Sequence, residues 1–258
     1  MITRLFGDRR RLAVLRRIDR PAAAVLAALQ AIVAAVGWFV EPVWLAVAVA
    51  AQLALGGIGA VRVIGPARGD LGLARYAIPA TAGIAATLFG RLIPGGLSLL
   101  LVPIVGVILW SVTYLELRAE RGTGGRTLGE LALTAIVFSG AAGLLDLFGV
   151  LTWPTPIILV ALLALPPAFR AAEARGTMGA EGFGQALLQV LAVAQVGIGA
   201  VLLNVTTVVA AALMALTFYT WRGAVDMLRG GAGGRSVAIE YGGLVLVGLV
   251  VGILLYRP

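Results

Sequence analysis

Apolar runs of about twenty residues alternate along this chain with short breaks rich in arginine, glycine and proline. A helix of that length crosses a hydrocarbon core of roughly 30 Å. Nine runs predict nine spans: Ala22–Val40, Val43–Val61, Leu73–Leu92, Leu97–Leu115, Leu128–Val150, Pro154–Ala172, Phe183–Leu203, Val205–Trp221 and Val237–Leu255. The expected fold is an all-α, polytopic transmembrane bundle. Residues 1–21 read as a basic cytoplasmic segment and 22–258 as a single membrane domain. The first run leads through Glu41-Pro42 straight into the second, which reads as a retained helix and not as a cleaved signal peptide. The junctions at Glu41-Pro42 and near Asn204 leave little room to turn, so either could be a loop or a broken helix.

The arginines test this count. With the N-terminus inside, 18 of them fall in cytoplasmic segments and only Arg91 and Arg257 fall outside. Positive charge is retained on the cytoplasmic side of a membrane protein. The bias predicts a plasma-membrane protein with a cytoplasmic N-terminus and an external C-terminus.

The breaks also recur. Arg118, Arg170 and Arg222 stand 52 residues apart. Each is followed by a second Arg-Gly: Arg121-Gly122, Arg175-Gly176 and Arg229-Gly230. Arg62 with Arg68-Gly69 fits less well. Four helical hairpins plus a final helix would give this spacing. So would arginines that stop each hairpin, without any duplication.

Composition narrows the chemistry. The chain is 60% hydrophobic and 12% charged, with mean hydropathy +1.02. It has no Cys and no His. Its 20 basic residues are all Arg. Disulfides, thiolate or imidazole metal sites, a histidine base and a lysine Schiff base are therefore excluded. The net charge of +8 lies between apolar runs, where lipid explains it and nucleic acid does not. The sequence suggests no cofactor and no metal.

Several residues are candidates for a role. Gln30, Gln52, Gln189 and Gln195 fall at mid-span; Gln30, Gln52 and Gln195 could line a solute cavity, or such amides could bond one helix to another. Arg91 and Asp146 share a depth and are expected to pair. Arg118, Arg126, Arg170, Arg222 and Arg235 are expected to face anionic lipid head groups. Thr127 and Glu130 form a capping-box pattern at the start of a helix. Pro79, Pro103 and Pro166-Pro167 interrupt spans, where they kink helices or open space. Trp38, Trp44 and Trp153 read as an interfacial aromatic belt, with Trp110 and Trp221 at the other face. Gly248 and Gly252 form a GxxxG in the last span, a candidate docking face for a membrane partner or a second copy.

No paired carboxylates and no zinc-protease pattern support an intramembrane enzyme. The expected function is a non-catalytic structural or assembly subunit of a membrane complex. A small-solute permease is the alternative. Convergence of the three glutamines on an open cavity would favour the permease. Amides paired in a dry core, with a bare apolar helix face, would favour the subunit.

Overall fold

A backbone surrounded by hydrocarbon must satisfy its own hydrogen bonds, which a helix does within one segment. The computed structural model describes residues 3–64, 72, 74–119 and 126–255. Among these it is all-α, without strands. The helices are α1 (Thr3–Phe39), α2 (Pro42–Leu53), α3 (Gly59–Ile64), α4 (Ala74–Phe89), α5 (Leu97–Ala119), α6 (Arg126–Asp146), α7 (Thr155–Glu173), α8 (Gly179–Leu202), α9 (Thr207–Arg229) and α10 (Gly234–Leu255). The basic N-terminal segment continues helically into the first span, through Pro21. A π-helical turn, Ala54–Ile58, joins α2 to α3.

Eight helices among the described residues are long and apolar enough to cross a membrane. The predicted third span is α4, which has 16 residues, about 24 Å of rise. It falls short of the usual length, yet its ends lie at opposite rims. Arg75 near its start sits where α7 ends, since the neighbouring Ala74 N donates to Glu173 Oε1 at 3.3 Å. Arg91, in the 3-10 turn that follows α4, donates to the α1–α2 junction at the other rim. A helix this short can traverse the bundle because protein, not lipid, surrounds most of it.

That surrounding sets the architecture. The central helix α4 packs on α1, α2, α5, α6 and α7. In this ring α2 packs on α1, α1 on α5, and α6 on α7, whereas α5 and α6 barely meet. Outside it, α8 packs on α7 and α9, α9 on α6, and α10 on α9.

The two tight junctions are full turns. Glu41, with extended backbone, caps α2, and Pro42 takes the first helical position, where its missing N–H costs nothing. At the second junction Asn204 adopts φ 52°. Val205 N then donates to Ala200 O at 2.9 Å and Asn204 N to Val201 O at 3.0 Å. This pair of bonds closes the C-terminus of α8 in a Schellman motif. The same pair recurs at Gly176 (φ 81°) after α7 and at Gly231 (φ 85°) after α9. At Arg175-Gly176 the glycine of the recurrence is itself the left-handed closing residue, whereas after Arg229-Gly230 that part is taken by the next residue, Gly231. Arg121-Gly122 lies outside the described residues.

The last helix differs from its expectation. A Cβ on Gly248 would come within 2.5 Å of Leu216 Cδ2, and one on Gly252 within 3.0 Å of Val209 Cγ1. The GxxxG therefore faces α9 of the same chain. Leu246, Val247, Val250 and Leu254 of α10 remain exposed.

Candidate functional site

Polar side chains collect in two places, a node at mid-depth and a rim at one end. The node joins α1, α2 and α4. Gln30 and Gln52 are fully buried. Gln30 Nε2 donates to Pro79 O at 2.8 Å. Gln52 Nε2 donates to Gln30 O at 2.8 Å and to Thr87 Oγ1 at 3.1 Å, while Thr87 donates its own proton to Gly83 O. Gly83 makes the node possible, since a Cβ there would lie 2.4 Å from Gln52 Oε1. One turn beyond Gln52, the π-helical turn brings Gly56 against the α4 backbone, its missing Cβ only 2.3 Å from Ala80 Cα. Interhelical bonds of this kind in a membrane contribute about 0.6–2 kcal/mol each. Gln30 Oε1 and Gln52 Oε1 accept no hydrogen bond from the described residues.

The glutamines do not converge as a permease would require. Gln195 is exposed on α8, away from the node. Gln189, also fully buried, donates to Phe218 O on α9 at 2.9 Å. The predicted Arg91–Asp146 pair is likewise replaced. Arg91 Nη1 donates to Gly37 O at 2.9 Å and to Val40 O at 2.6 Å, and Asp146 is exposed at the end of α6. The open carbonyls at the end of α1 lie closer to Arg91 than any carboxylate, and a helix C-terminus attracts a cation.

At the opposite end, charged side chains lace the helices together. Arg170 Nε meets Glu116 Oε2 at 2.9 Å, linking α7 to α5. Arg222 Nη2 meets Glu130 Oε1 at 3.1 Å, linking α9 to α6. Arg229 and Glu181 approach to 3.7 Å, and Arg175 and Asp226 to 4.0 Å. Arg75, nearly inaccessible, donates to Tyr76 OH at 2.6 Å and lies 4.6 Å over its ring. Arg170 and Arg222 are therefore turned inward and not toward lipid phosphate. The sequence put them at span ends but could not show that adjacent helix ends carry carboxylates facing them. Glu130, expected in a capping box, bonds Arg222. Arg235 is exposed at the start of α10, as a head-group contact would be. The side chains of Arg118 and Arg126 lie outside the described residues. Of the expected aromatic belt, Trp44 and Trp153 are exposed, whereas Trp38 turns inward and donates to Ala86 O at 3.0 Å.

Among the hollows between the described helices are three whose linings carry no charged side chain. One of about 550 Å³ lies among α2, α4 and α7. Another of about 550 Å³ lies among α1, α4, α5 and α6. The third, about 280 Å³, lies between α8, α9 and α10. Among the described residues no group of three or more acidic side chains could hold a metal ion. The arrangement supplies packing, helix linkage and these three apolar clefts, whose linings hold no acidic or basic side chain. The sequence offered interhelical bonding as one of two uses for these amides, but nothing in it marks which carbonyl each amide takes; Gln30 takes Pro79 O and Gln52 takes Gln30 O. Comparison of the chain with protein-family models, with curated proteins and with solved structures found no match.

Proposed function

We propose that this integral membrane protein is a non-catalytic structural or assembly subunit of a membrane complex. One observation carries the reading: the amides of its interior are used to tie helix to helix. Gln30, Gln52 and Gln189 each bond a main-chain carbonyl and are fully buried. Two further features agree with it. The rim charges pair across helix boundaries. The outer face of α10 is apolar and bare, as a surface that meets another membrane protein would be.

The alternative, a small-solute permease with amides lining its path, has less support. Gln30 and Gln52 line none of the three hollows, and Gln195 points outward. The arginine distribution favours the plasma membrane, with the N-terminus cytoplasmic and the C-terminus outside. Lipid, including anionic head groups near Arg235, is the surrounding partner.

Native mass spectrometry of the protein gently extracted from its own membrane tests the reading. A stoichiometric protein partner is expected. A chain alone with a bound polar solute would overturn the subunit role and favour transport.

A further inference from the structure

We infer that the cleft between α5 and α6 is a phospholipid site, holding one acyl chain with the lipid phosphate on Arg91. The inference is independent of whether the protein has a protein partner. The cleft has a volume of about 550 Å³, within the range of sites that enclose small ligands. Trp38, Phe89, Gly90 and Ile93 line its end nearest Arg91. Ser111 and Ser139 are its polar wall residues, and their hydroxyl protons go to Val107 O and Ala135 O of their own helices. The wall therefore behaves as hydrocarbon. An empty apolar cleft forfeits dispersion contacts along its lining, and at this depth in a bilayer the available filler is an aliphatic chain.

Arg91 decides which lipid. It follows Gly90 of the cleft wall, in the turn that ends α4. Its Nη1 is held by Gly37 O and Val40 O, which fixes the guanidinium at the rim. Nε and Nη2 make no hydrogen bond to the described residues and present a charged edge. A guanidinium edge matches two phosphate oxygens. The other cations of known environment are mostly paired with carboxylates at the opposite rim. Apolar burial does not itself separate one membrane lipid from another, because every lipid tail is equally apolar. Head-group charge must supply the selectivity.

The test titrates delipidated full-length protein in detergent with dioleoyl phosphatidylglycerol or with uncharged dioleoylglycerol, and counts bound lipid by native mass spectrometry. The phospholipid is expected to bind at least about tenfold tighter than the diacylglycerol at one site. Arg91→Gln should remove that preference and Arg91→Lys should keep most of it. Ala135→Trp, which fills the cleft wall, should abolish the site, while Leu188→Trp on the distant exposed face of α8 should not. Equal binding of the two lipids to the unaltered protein, or full binding to Ala135→Trp, would overturn the inference. Both of those readings stand even if Arg91→Gln fails to fold.

Discussion

Gly56 and Gly57 are neighbours in the chain with opposite surroundings. A Cβ at Gly56 would sit 2.3 Å from the α4 backbone, whereas one at Gly57 would meet nothing within 4 Å. Backbone cannot move aside as a side-chain tip can, so overpacking at Gly56 costs about 1–3 kcal/mol or more. Gly56→Val is expected to lower the thermal unfolding midpoint in detergent clearly. Gly57→Val should stay within about 0.5 kcal/mol of the parent. The buried ion pair at the rim gives a second contrast. Glu116→Gln leaves Arg170 in place without its carboxylate partner, and breaking a buried pair from one side costs a few kcal/mol, about 3–5 where burial is complete. Both side chains keep some exposure, 12% and 10%, so the loss should fall below that range. The double change Glu116→Leu with Arg170→Leu should recover most of it, because no charge is then stranded. Chemical denaturation of the three proteins checks this.

At the scale of the helices, what was legible followed from length and polarity. Each predicted span corresponds to a helix, because runs of apolar residues have few other ways to satisfy their backbone in lipid. The Glu41-Pro42 junction was legible as a possible turn because proline fits a helix start. What could not be read was which helix would touch which. The 16 residues of α4 look like any other span, yet they form the hub. Arg91 and Asp146 stand on elements that touch, the turn Gly90–Leu92 and α6, yet the Arg91 side chain turns to the carbonyls that end α1, so a shared depth did not assign its partner. The GxxxG of α10 was legible as a close-packing face, but its choice of α9 depends on tertiary arrangement. Cysteines placed at Val209 and Gly252 should form a disulfide within one chain on mild oxidation, because the Gly252 Cβ position lies 3.0 Å from Val209 Cγ1, within the reach of such a bond. Cross-linking between two chains instead would mean that α10 docks on a partner copy. The chain's lack of native cysteine keeps the readout clean on gels.

For the whole molecule, the two ends of the bundle are chemically unlike. One rim is laced by Glu116–Arg170, Glu130–Arg222 and Glu181–Arg229. At the other, Arg91 is held by main-chain carbonyls, and Glu41 and Asp146 are exposed. Such asymmetry is what a bilayer with a cationic-retaining cytoplasmic face selects. The arginine-rich rim is therefore expected to face the cytoplasm, with short α4 counted as a full crossing. Single cysteines at Ala174 and Gly233 would report on this rim, and at Gly96 and Gly149 on the opposite one. All four positions are exposed. A membrane-impermeant maleimide applied to intact cells should label Gly96→Cys and Gly149→Cys, and should reach Ala174→Cys and Gly233→Cys only after permeabilisation. Labelling of all four from one side, or the reverse pattern, would contradict the topology.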